Sequence, residues 1–302
     1  MKVSETYTSV SATHVKFDLY TPNVILRYKG IIQIHHDLCE YSDRYQKFAE
    51  FLCHEGYIVA VSDFPGHGTS LNNFEQGYFG NGNATETLVE DMHRLRRILV
   101  RRFPELSFFI MGIGFGSLVV RKYLSVYEEY VDGAILIGTC MKNQSYYEAL
   151  SMVKLSTFLH GCMYRSPVLK NALDTYMQKG LKGSYKTDDD EEWKRYLDDP
   201  MTDFIYTNQA YHDILDYILY TSSLDNIKKI PAYTPIYLLA GRYDNFSHHG
   251  KDVKKYYDTL KSLSFQDIEY KIYDKKQDLL HEVNKRETYK DILQWLLART
   301  YV

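Results

Sequence analysis

Nothing in this 302-residue chain approaches an apolar run long enough to cross a bilayer, and its first twenty residues contain no continuous apolar core of the kind a secretory leader uses. Residence in the cytoplasm is the expectation that follows. Cysteine is scarce. Cys39, Cys53, Cys140 and Cys162 lie far apart with no CxxC spacing, which argues against a disulfide framework, a structural zinc site or a redox pair and predicts reduced, mostly buried thiols. Charge of one sign is missing too. Lys and Arg number 36 against 39 Asp and Glu, for a formal net charge of -3, and no basic stripe exists to neutralise a row of phosphates. Nucleic acid is therefore not an expected partner. His248 and His249 are adjacent but have no third ligand in view, so neither a metal nor a cofactor is expected.

The chain does have the ordinary apolar content of a globular domain, and it has 29 tyrosines spread without a repeat, read as packing residues. Short, nearly continuous apolar runs at 29–35, 57–61, 108–111, 134–137, 236–239 and 268–272 read as buried parallel strands. Helical stripes lie between them: Phe48, Phe51 and Leu52, then Leu88, Met92, Leu95 and Leu99 behind a capping Asn83, and finally Tyr289, Ile292, Leu293 and Leu296. The alternation predicts an α/β fold, a mostly parallel doubly wound sheet forming a single domain over 1–302. Between 141 and 230 the strand signal disappears and helical stripes take over, which predicts an inserted helical cap. The acidic run Asp188–Glu192 within it reads as a solvated loop leading into a helix around Trp193.

The strand ending at Met111 runs into Gly112-Ile113-Gly114-Phe115-Gly116-Ser117, followed by an apolar helix. Strand, glycine-rich turn and helix are the setting of a nucleophile elbow, G-x-S-x-G, but Gly114 occupies the serine position. A dinucleotide-binding turn fits less well, because the run comes late in the chain and lacks the third-glycine spacing. Other segments sharpen the reading. Glu40 to Tyr45, the turn Ser62-Asp63-Phe64-Pro65-Gly66-His67-Gly68-Thr69-Ser70, Gly241-Arg242-Tyr243-Asp244 and His281-Glu282-Val283-Asn284 occur in an order that resembles the lysophospholipase and monoacylglycerol lipase branch of the α/β-hydrolases, the serine aminopeptidase S33-like hydrolases. Trp193, Asp199-Pro200, Phe204 and Thr207-Asn208 resemble that family's cap.

The resemblance implies hydrolysis of acyl esters, with Asp244 as the acid, His281 as the base, and the amides of Leu38 and Phe115 as the oxyanion hole. Two further departures accompany Gly114. Asp37 stands where the family has a glycine beside that hole, and Ile113 where it usually has a histidine. The expectation is an α/β-hydrolase with impaired or absent turnover that retains a small-molecule acyl ester or fatty-acyl ligand, with Tyr146, Leu150, Phe158, Leu159, Tyr217 and Ile218 as candidate lining and transient contact with a membrane surface allowed. Two alternatives stay open: an active lipase carrying a Ser→Gly exchange at 114, or a hydrolase using Ser117, Cys39 or a water held by His281. For each aromatic in a helical stripe, a plain core role is the competing reading.

Overall fold

A computed structural model describes residues 1–11, 13–23, 27–71, 75–80, 82–127 and 131–300. Its centre is an eight-stranded sheet of β1 (Lys2–Thr8), β2 (His14–Tyr20), β3 (Gly30–His35), β4 (Tyr57–Ser62), β5 (Ser107–Ile113), β6 (Gly133–Ile137), β7 (Ile236–Gly241) and β8 (Ile268–Tyr273), in the spatial order β1-β2-β4-β3-β5-β6-β7-β8. All pairs from β4 to β8 are parallel, and the register sets His35 beside Gly112 and Ile113 beside Ile137. The six parallel strands are those read from the apolar runs, since a strand covered on both faces needs apolar side chains on both. β1 and β2 form an antiparallel hairpin at one edge that the sequence reading did not identify.

Helices α1 (Gln46–His54), α2 (Ala84–Arg102) and α3 (Phe115–Val126) follow β3, β4 and β5. Asn83 caps α2 by accepting the Thr85 amide, as its position ahead of the apolar stripe predicted. Gly116, in the first turn of α3, allows helix and sheet to touch: a Cβ there would collide with the carbonyls of His35 and His36. Between β6 and β7 the described chain contains helices α4 (Gln144–His160), α5 (Pro167–Gln178), α6 (Asp190–Asp198), α7 (Asn208–Thr221) and α8 (Leu224–Ile227) and contributes no strand to the sheet. Helices α9 (Lys251–Ser262) and α10 (Lys285–Leu297) complete the layers. No described helix is long and apolar enough to cross a membrane.

α7 fixes the insertion to the sheet layer. It buries Tyr211, Ile214, Leu215 and Tyr217, and Tyr217 meets Phe115 of α3 edge to face at 5.2 Å. The acidic run is less solvated than its composition suggested. Asp189 caps α6 by accepting the Glu192 amide, and Glu192 itself is buried. Asp188 pairs with Lys276 at 2.7 Å and Asp189 with Lys285 at 3.7 Å, so the run ties the insertion to the loop after β8 and to the start of α10.

Candidate active site

The turn between β5 and α3 holds Gly114 at φ 50°, ψ -116°, the strained backbone that raises one side chain above a sheet at a strand-to-helix elbow. The Gly114 amide donates to the Ile137 carbonyl at 2.8 Å, and the Ser117 amide and hydroxyl donate to the Gly114 carbonyl at 3.0 and 2.6 Å. A Cβ built on Gly114 would lie well within 3.0 Å of Cγ, Oδ1 and Oδ2 of Asp37. The Asp37 carboxylate therefore occupies the space of a nucleophile side chain.

Asp37 is held there on both oxygens. Oδ1 accepts the Phe115 amide at 2.9 Å, Oδ2 accepts Gln277 Nε2 at 2.8 Å, and Lys186 Nζ lies 3.5 Å from Oδ2. Burial pushes its pKa up to about 6, against the pull of Lys186 and of the Phe115 and Leu38 amides, which favour the ionised form. These are the two amides expected to form the oxyanion hole. An internal anion has taken the place of a reaction's developing one.

The expected pairing of Asp244 with His281 is not made. His281 Nδ1 lies 2.7 and 2.8 Å from the two carboxylate oxygens of Asp278, and Nε2 lies 2.7 Å from the Arg44 carbonyl. Buried Leu279 and Leu280 close a turn that brings Asp278 and His281, three residues apart, face to face. Both ring nitrogens meet acceptors, so both donate and the ring is an imidazolium with no lone pair for a substrate proton. Burial is the largest single influence and opposes that charge, but the carboxylates of Asp278 and Glu40 together raise the His281 pKa. From the same loop it is Gln277 that reaches the nucleophile space. Asp244 is fully buried with Oδ1 on the Phe246 amide, its Oδ2 has no hydrogen-bond partner among the described residues, and burial together with the Asp37 charge pushes its pKa up to about 7.

A buried ionic network extends from Asp37. Lys186 reaches Glu40 at 3.0 Å, and Arg44 reaches Glu40 at 3.5 Å, Asp278 at 3.2 Å and Glu192 at 3.7 Å. Four carboxylates, Asp37, Glu40, Asp278 and Glu192, face the three cationic groups Lys186, Arg44 and His281. Lys186, on the loop before α6, was not identified from sequence; nothing local marks a lysine whose partner is 146 residues away. His36 and His67, buried beside Phe64, are neutral: burial lowers both, His36 to about 4. His36 Nε2 accepts the Phe64 amide and Nδ1 faces the Asp37 carbonyl, which fixes the tautomer with the proton on Nδ1.

Beside the plugged turn lies an apolar cavity of about 230 Å³. Of the expected lining, Tyr146 and Ile218 contribute, joined by Leu38, Val153, Tyr211 and Phe246 among others. Phe158 and Leu159 do not line it. They sit on the outward face of α4, exposed at 86% and 60%, because only Tyr146 and Val153 of that helix turn inward far enough to be buried. Tyr217 is core, its hydroxyl donating to the Ala84 and Thr85 carbonyls, and Leu150 packs against the same core. Ile113 joins an apolar cluster with Ile137, Leu279 and Leu280. Among the described residues, the three metal-capable groups that converge are His212, Asp213 and Asp216 on α7, outside this site.

Residues 27–285 match the model of the family described as serine aminopeptidase, S33. No curated protein matches the chain. Among solved structures, a thermostable carboxyl esterase from Bacillus coagulans in complex with glycerol superposes with a TM-score of 0.90 at 22% identity, covering 99% of this chain and 98% of the other. A soluble variant of monoglyceride lipase from Saccharomyces cerevisiae with a substrate analogue gives 0.79 at 16%, covering 96% and 93%. The monoacylglycerol lipase of Paleococcus ferrophilus gives 0.71 at 17%, covering 98% and 100%. At these identities the likeness is one of fold.

Proposed function

Because the chain belongs to the serine aminopeptidase S33 family of α/β-hydrolases, we propose that it is a member that binds an apolar acyl-type ligand beneath a cap formed by residues 141–230 and does not cleave it. The observation that carries this reading is the position of Asp37. Its carboxylate fills the nucleophile space and holds the Phe115 amide, so the attacking atom and half of the expected oxyanion hole are lost together. Loss of the nucleophile alone costs a serine hydrolase on the order of a millionfold in turnover.

The alternatives fare worse on geometry. A serine at 114 would collide with Asp37, which speaks against a lone Ser→Gly exchange in an active lipase. Ser117 donates its proton to the Gly114 carbonyl inside the first turn of α3. Cys39 is buried, with its thiol pushed by burial up to about 12. His281 has both nitrogens engaged and cannot activate a water.

The expected result is that purified protein shows no turnover of short acyl esters and takes no label from a fluorophosphonate, while the uncharged probe N-phenyl-1-naphthylamine brightens on binding. Ala149→Trp, which fills the cavity from α4, should abolish the brightening. Ester turnover that disappears in His281→Ala would overturn the non-hydrolytic reading, and undiminished brightening in Ala149→Trp would overturn the assignment of the cavity.

A further inference from the structure

Resting on the binding reading above, we infer that the ligand is an uncharged single-chain amphiphile such as an alkanol, and that Asp37 is the residue that excludes carboxylates. Among the described residues the apolar cavity has no Lys, Arg or His in its lining; its polar groups are Asn143, Ser145, Glu148 and the hydroxyls of Tyr146, Tyr176 and Tyr211, of which Tyr176 donates to the Asn245 carbonyl and Tyr211 has no partner among the described residues. Arg121 lies just behind Cys140 and Met141, but its Nη groups are spent on Thr139 Oγ1 and on the Cys140 and Thr221 carbonyls. Lys142, between the lining residues Met141 and Asn143, holds its ammonium over the Tyr146 and Tyr147 rings, 5.9 and 5.4 Å from their centroids, and is not part of the lining.

The inner end is no more receptive. Leu38, Leu173 and Phe246 separate the apolar cavity from a smaller one of about 30 Å³ lined by two lysines, Lys170 and Lys186. Each is already paired twice: Lys186 with Asp37 and Glu40, and Lys170 with Asp174 and Asp203, both at 2.7 Å. The Phe115 amide, the natural donor to a carboxylate oxygen, already donates to Asp37 Oδ1 at 2.9 Å. A fatty acid whose head passed Leu38, Leu173 and Phe246 would thus bring a second buried anion up to Asp37, where the one adjacent ammonium, Lys186, is already shared with Glu40, an arrangement that is strongly disfavoured. A hydroxyl carries no such penalty, and Asn143 and Ser145 offer it donors and acceptors. About 230 Å³ falls below the usual range for drug-sized ligands, which points to a short or medium chain.

The test is competition against bound N-phenyl-1-naphthylamine, using the whole protein at pH 8 with 1-decanol or decanoate below its micelle concentration. Decanol should displace the probe with an apparent Kd at least about tenfold lower than that of decanoate. Asp37→Gly, which frees the Phe115 amide, should tighten decanoate selectively and leave decanol nearly unchanged; Asp37→Asn, nearly isosteric, should shift the ratio the same way and serves if the glycine variant unfolds. Decanoate displacing as well as decanol from the unaltered protein would overturn the inference and leave ligand binding intact. If neither the probe nor either chain binds, the binding reading itself fails and this inference with it.

Discussion

At the scale of single residues, the site is defined by one substitution occupying the room left by another. Gly114 keeps the elbow's backbone without a side chain, and Asp37 uses that room to bring its carboxylate onto the Phe115 amide. The two positions are therefore coupled, and the coupling is measurable. Gly114→Ser alone must displace Asp37 or strain around it, and should lose about 1–3 kcal/mol of stability, the usual cost of overpacking. Asp37→Gly introduced together with it should recover much of that loss, giving a non-additive cycle in urea unfolding. Strict additivity would mean that Asp37 is not what fills the nucleophile space in solution. Neither variant should restore hydrolysis, because His281 remains an imidazolium bonded to Asp278 and Arg44.

At the scale of elements, the loop after β8 acts as a clamp. Asp278 and His281 face each other across one turn, Arg44 joins them from the segment before α1, and Asp278 donates its amide to the Lys186 carbonyl of the insertion. The ion pair has a pH signature with two limbs. His281 has a folded-state pKa raised above its unfolded value of about 6.5, so its contribution is complete below that pH and declines as pH rises through the folded value. Asp278 is held well below the carboxylate range by His281, Arg44 and Lys186 despite its burial, so its contribution is present above about 4 and is lost only as pH falls through the depressed value. The stability difference between the protein and His281→Gln should accordingly be largest near pH 5–6 and shrink towards pH 9, measured by urea unfolding at each pH. A difference that is flat with pH, or that grows in alkali, would rule out the charged pair.

At the scale of the whole molecule, the parallel sheet was legible in the sequence because strands buried on both faces leave unbroken apolar runs. The β1–β2 hairpin was not read, although Val15, Phe17 and Leu19 alternate, because β1 is an edge strand with a mostly polar, exposed surface. The elbow at Gly114 was legible as local spacing, and Asp37 was visible as a departure. The direction of its side chain was not, since that depends on a register between β3 and β5 that pairs residues some 77 positions apart. His281 was assigned to Asp244 on family order, whereas the short turn from Asp278 supplies a closer carboxylate. The same long-range contacts predict how the insertion moves. α6 is anchored through Glu192 and the neighbouring Lys186, and α7 is anchored by its buried face, while α4 and α5 each bury only two side chains and border the apolar cavity. Regions with few buried contacts open at lower free energy than the core. Hydrogen exchange should therefore be fast in α4 and α5 and slow in α7 and in the 184–192 segment, although all belong to one insertion. Saturating decanol should slow exchange chiefly in α4 and α5, because α7, which also lines the cavity, is already held by its buried face. Uniform protection across the four helices, or a ligand effect centred on α6, would show that the insertion opens as a single rigid lid.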